Sequence, residues 1–123
     1  MSCWVLSANV LAGVVLALLH LRATSAAQRP HWIIGGMHGV AGTAGVILLL
    51  IALLGSRRGA ATGSSSFGLQ AAVLLVVALL AGLAIVVLVR QQAPERAVTG
   101  TTVLHALFAA TGYVLWIAYT SLG

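Results

Sequence analysis

The groups in this sequence able to hold a metal or pass a proton are few: His20, His31, His38 and His105, the single thiol of Cys3, and Glu95 as the only carboxylate. Two of the histidines share a local pattern. His38-Gly39-Val40-Ala41-Gly42-Thr43-Ala44-Gly45 and His105-Ala106-Leu107-Phe108-Ala109-Ala110-Thr111-Gly112 both read as histidine, six residues, glycine, followed by a mostly aliphatic run. On a helix, the positions three before, four after and seven after a residue share its face. Around His38 these are Gly35, Gly42 and Gly45; around His105 they are Thr102, Ala109 and Gly112. Each imidazole thus stands on a stripe without large side chains. A flat macrocycle could lie against such a stripe, with neutral imidazole supplying the lone pair to its metal.

The elements that must carry these residues follow from the charges. The chain holds six arginines, no lysine and one acid in 123 residues, with 61% apolar side chains, whereas about 25% of an ordinary soluble domain is charged. The arginines divide it into four uncharged stretches, each of at least the roughly 20 residues that a helix needs to cross the hydrocarbon. Backbone groups in lipid must be satisfied within their own segment, so each stretch becomes a helix. The expected spans are Trp4 to Leu21, His31 to Leu54, Phe67 to Val89 and Val98 to Tyr119. The expectation is an all-α, integral membrane bundle of four transmembrane helices, one domain over residues 1–123. Pro30 suits the start of the second helix, and Gly55 to Arg58 with Gly63 to Ser66 reads as one polar loop. Trp4, Trp32, Trp116 and Tyr119 fall near span ends, where amphipathic rings prefer to lie. The first span is expected to be retained as a helix: no positive charge precedes it, and it is longer than a signal-peptide core.

The halves resemble each other beyond the histidines. Leu11-Ala12-Gly13 in the first span matches Leu80-Ala81-Gly82 in the third, and each span ends in arginine. The bundle therefore reads as two similar helical hairpins, inserted in the same direction. His38 and His105 lie eight and nine residues past Pro30 and Arg96, so at about 1.5 Å per residue both sit roughly 12 to 14 Å inside one face. His20 and His31 belong to that face as well. The second and fourth helices are parallel diagonal neighbours, and with adjacent helices about 8 to 10 Å apart the diagonal is roughly 12 to 14 Å. That leaves room for two imidazoles and a metal between them, as in other bundle cofactor sites. The expected occupant is one b-type haem held by His38 and His105. With no Cys-x-x-Cys-His sequence present, a covalent haem is disfavoured.

On these two histidine segments and its helix count, the chain resembles small four-helix, b-type membrane cytochromes with paired histidine ligands. The resemblance implies His38 and His105 as axial ligands. It also makes Arg22, Arg29, Arg90 and Arg96 candidates to pair with haem propionates through charge-assisted hydrogen bonds, and it implies electron transfer within a larger redox complex, with a quinone or a soluble protein as donor. Better-known members have more helices and two ligand pairs, whereas this chain has one deep pair.

Other readings compete. A chlorophyll-type pigment uses one histidine per magnesium and also favours a small-residue face. Copper or zinc could take His20, His38 and His105, with Met37 turned about 100° away from its neighbour His38. An accessory subunit with no cofactor would need only the small residues, which let membrane helices pack closely. His20 and His31 need no role beyond residence at the interface. Several classes are excluded more firmly. A formal charge of +5 suggests nucleic acid only where it gathers on one face, and here each arginine flanks a span. A proton-coupled exporter needs a carboxylate within the membrane, and a hydrolase needs one to orient its histidine; Glu95 lies in a loop. The third helix, Val73 to Val89, reads as a wall facing lipid or another subunit. Cys3 alone gives no disulfide framework. With Arg22, Arg29, Arg90 and Arg96 in the first and third loops against Arg57 and Arg58 in the second, positive-inside places both termini outside the cytoplasm.

Overall fold

A computed structural model describes residues 2–22, 32–55 and 65–122. They form four helices: α1 (Ser2–Arg22), α2 (Trp32–Leu54), α3 (Ser65–Arg90) and α4 (Glu95–Leu122). The fold is all-α, and α2, α3 and α4 are each long and apolar enough to cross a membrane; Leu6–Arg22 of α1 is apolar but shorter. His31, Arg29, Arg57 and Arg58 lie outside the described residues.

Each helix packs against two neighbours, α1 on α2 and α4, α3 on α2 and α4. The α1–α2 pair is antiparallel and in steady register: Leu6 meets Gly45, Asn9 meets Gly42, and Gly13 meets His38. The α3–α4 pair repeats this with Gly68 on Tyr119, Leu75 on Gly112, and Gly82 on His105. Bare glycine at these crossings lets the backbones approach. A hydrogen bond of 2.5 Å between the Ser7 and Tyr113 hydroxyls ties α1 to α4.

The apolar core occupies one half of the bundle. Leu6, Val46, Leu49, Ala71, Ala72, Leu75, Trp116 and Tyr119 cluster there, with Leu53, Phe67 and Tyr113 against them. These residues come from the start of α1, the end of α2, the start of α3 and the end of α4, which places the core towards the segment joining α2 and α3. The histidines lie in the other half. Trp116 and Tyr119, near the end of α4, are buried: Tyr119 closes over Gly68 and Trp116 stacks with Tyr113 at 6.3 Å. One expectation is corrected: α3 is not only a wall, because Ala71, Ala72, Leu75 and Ala78 bury one face of it, while Val73, Val77, Leu80 and Leu83 face outward.

Helix ends also extend past the uncharged stretches. At the close of α3, the Ala93 N–H donates to Leu88 C=O at 3.0 Å and the Gln92 N–H to Val89 C=O at 3.2 Å. With Gln92 at φ 54°, this is a Schellman stop carrying glutamine where glycine is usual. Pro94 then caps α4, its carbonyl accepting from Ala97 at 2.8 Å. Glu95 and Arg96 therefore belong to the first turn of α4, not to the loop, and the acid sits at the positive end of the helix dipole.

Candidate cofactor site

His38 of α2 and His105 of α4 meet inside the bundle, their ring centroids 6.1 Å apart and their planes at 84°. Each ring is half-buried and laid over a glycine of the adjacent helix. A Cβ on Gly13 would stand 2.6 Å from Cε1 of His38, and one on Gly82 would stand 3.1 Å from Cε1 of His105. Large side chains at either place would drive the imidazoles out of position.

The two rings are held differently. Nδ1 of His105 lies 2.7 Å from the Ala78 carbonyl on α3. A carbonyl only accepts, so Nδ1 carries the proton and Nε2 keeps its lone pair. Ligating histidines usually have this arrangement, the second nitrogen donating to a carbonyl or carboxylate. His38 is addressed instead by the Asn9 amide of α1. In the orientation that matches every donor to an acceptor, the amide nitrogen donates to His38 Nδ1 at 3.1 Å and to His38 C=O at 3.2 Å, while its oxygen accepts from Gly42 N–H at 3.2 Å.

The stripes beneath the histidines serve mostly as close-approach surfaces. Gly42 lies against Asn9, Gly45 against Leu6, and Gly112 against Leu74 and Leu75, so α1 and α3 occupy the faces that a macrocycle would share. Ala109 is half-buried. Thr102 is buried with its hydroxyl bonded back to Val98 C=O at 2.8 Å. Gly35 differs: nothing lies within 4 Å of a Cβ built on it. Gly35 is exposed and lies towards the ends of α1 and α3 that carry Arg22 and Arg90 and the start of α4 with Arg96. Those three arginines are exposed.

A metal bound by two imidazole nitrogens at about 2.0 to 2.1 Å each places the ring centroids roughly 6 Å apart, and the observed separation is 6.1 Å. On centroid separation the pair is within reach of one shared metal, while Nε2 of His38 lies beside Gly13 of α1. A third protein ligand does not join them: among the described residues no three His, Cys, Asp or Glu side chains come together. His20 lies seven residues beyond Gly13 on α1, about 10 Å further along the helix. A closed zinc or copper site takes three or four protein ligands, and the described residues bring two histidines together here. Sequence reasoning missed Asn9 altogether and noted the Leu-Ala-Gly segments without a role. The comparisons identify no relative: no protein-family model, curated protein or solved structure matches this chain.

Proposed function

We propose that this chain is a membrane-embedded, b-type cytochrome subunit that carries electrons through one haem held between His38 and His105. The observation that carries the reading is the meeting of two imidazoles from diagonal helices at a separation suited to one shared metal. The similarity of the two halves supports it. Gly13 under His38 and Gly82 under His105 fall in the repeated Leu-Ala-Gly segments, as two duplicated hairpins facing one cofactor would have them. When bound, haem supplies the one-electron chemistry. The protein's part is to fix the ligand nitrogens, exclude water with the apolar core below, and offer Arg22, Arg90 and Arg96, with Arg29, to the propionates. Since the described residues are almost all helix, electrons must arrive and leave through partners, such as other membrane subunits or a quinone.

The test is a reduced-minus-oxidised optical spectrum with pyridine haemochrome analysis of the full chain purified from a haem-replete host. Sharp visible bands of a low-spin b-type haem, near one per chain, are expected. Strong red or near-infrared absorption instead would assign a chlorophyll-type pigment. An absence of any chromophore would leave the accessory-subunit reading. Full retention of the low-spin spectrum in either His38→Ala or His105→Ala would remove the paired ligation.

A further inference from the structure

The partners of the two imidazoles are chemically opposite, and this has a consequence for the nitrogens that face a metal. Ala78 C=O can only accept, so His105 is fixed as the tautomer with its proton on Nδ1 and a lone pair on Nε2. The Asn9 amide nitrogen donates towards His38 Nδ1, so that nitrogen is the acceptor and the neutral His38 ring carries its proton on Nε2. His105 is thereby ready to bind a metal through Nε2, and His38 is not. For His38 to ligate, Nε2 must lose its proton, Nδ1 must gain one, and Asn9 must turn its oxygen towards Nδ1–H. That turn faces the amide nitrogen towards Gly42 N–H, donor against donor. It also gives up the bond to His38 C=O.

We propose that Asn9 sets the tautomer of His38 and so makes the pair unequal, with His105 the fixed ligand and His38 the exchangeable one. This rests on the haem reading for its consequence, though not for its first test. Asn9 acts here as a positioning residue: it touches the ligand ring, not the metal. With haem bound and reduced, His38 would be the ligand that a small neutral molecule such as carbon monoxide displaces, and His105 the one retained. The loaded site would then suit binding a diatomic molecule as well as passing electrons.

The first measurement needs no haem. In the full chain, 15N-labelled and reconstituted in lipid nanodiscs, imidazole nitrogen shifts should show His38 protonated at Nε2 and bare at Nδ1, with His105 the reverse. His38 protonated at Nδ1 would overturn the proposal. The second uses the haem-loaded protein. Asn9→Asp places an acceptor-only carboxylate beside Nδ1, which holds the proton there and strengthens His38 as a ligand. Carbon monoxide should bind reduced wild type readily and the variant at least about tenfold more slowly, with a lowered midpoint potential. His38→Ala should retain a five-coordinate, high-spin haem, and His105→Ala should lose most of it. Equal carbon monoxide rates in wild type and Asn9→Asp, or equal haem loss in the two alanine variants, would sink the proposal. Failure of wild type to take up haem would count against the cytochrome reading instead, with the nitrogen shifts still deciding the tautomer.

Discussion

Gly13 and Gly82 do the same job under different constraints, and the difference is measurable. A methyl group at Gly13 would come 2.6 Å from Cε1 and 3.1 Å from Nε2 of His38, so the ring must move as a body. At Gly82 the nearest His105 atoms would be 3.1 and 3.2 Å away, a conflict of a few tenths of an ångström. Overpacking of the first kind costs about 1 to 3 kcal/mol. Gly13→Ala should therefore lower the thermal midpoint in detergent and abolish low-spin ligation, while Gly82→Ala should retain both in large part. Equal effects would mean that the rings do not rest on these glycines. His38 and His105 are legible in the sequence because an ionisable residue two turns deep in an apolar helix needs a reason. The repeated segments containing Gly13 and Gly82 are legible only as a pattern. Their place under the imidazoles depends on the register between helices, which no single helix encodes. Asn9 has no motif at all. Its only signal is one amide four residues before Gly13 in a mostly apolar helix, where burial without a partner would be costly.

At the scale of elements, the sequence specifies four helices through its uncharged runs but stops the third too early and starts the fourth too late. The reason lies in caps that apolarity does not report. Gln91, Gln92 and Ala93 close α3 through backbone hydrogen bonds, and Pro94 starts α4 through its carbonyl, so polar residues on both sides are drawn into helical turns. Gln92 carries the strain of this turn at φ 54°, a conformation that costs a side chain-bearing residue about 1 to 2 kcal/mol. Gln92→Gly removes that cost and gives back part of it as unfolded-state entropy. The expected net gain is about 0.5 to 1 kcal/mol, read as a higher thermal midpoint with unchanged optical spectra. A fall in stability would mean that the glutamine side chain contributes more than its backbone costs. The α3–α4 contact itself should be sensitive at Gly112, where a Cβ would meet Leu75 Cγ at 2.9 Å and Leu74 Cβ at 3.2 Å. Leu74 Cβ cannot rotate away. Gly45 contrasts with it, because the obstructing atom is the mobile Cδ1 of Leu6. Gly112→Ala should destabilise by about 1 to 3 kcal/mol and Gly45→Ala by less, which chemical or thermal unfolding in micelles would rank.

For the whole molecule, the outer surface decides the solvent. Leu11, Val40, Ile51, Leu80, Leu107 and Val114 all stand more than half exposed, and apolar side chains displayed on four helices suit acyl chains better than water. The charges then decide which way the bundle faces. The antiparallel register puts the end of α1, the end of α3 and the start of α4 on one side, so Arg22, Arg90 and Arg96 share the histidine end of the bundle. Arg29 belongs by sequence to the segment joining α1 and α2, and Arg57 and Arg58 to the one joining α2 and α3. Cytoplasmic flanks collect arginine, so the expected orientation has the histidine layer in the cytoplasmic half and both termini across the membrane from the cytoplasm. Reporter fusions at the C-terminus and in the α3–α4 turn test this together. A periplasm-type reporter should be active at the first and silent at the second, and the reverse pattern would invert the topology. Moving the excess should move the bundle: Arg22→Gln, Arg29→Gln and Arg96→Gln combined leave one arginine on the histidine side against two on the other. Inversion or mixed reporter activity in that variant would show that the flanking charges set the orientation. An unchanged pattern would show that insertion is fixed by a partner or by the apolar lengths of the helices.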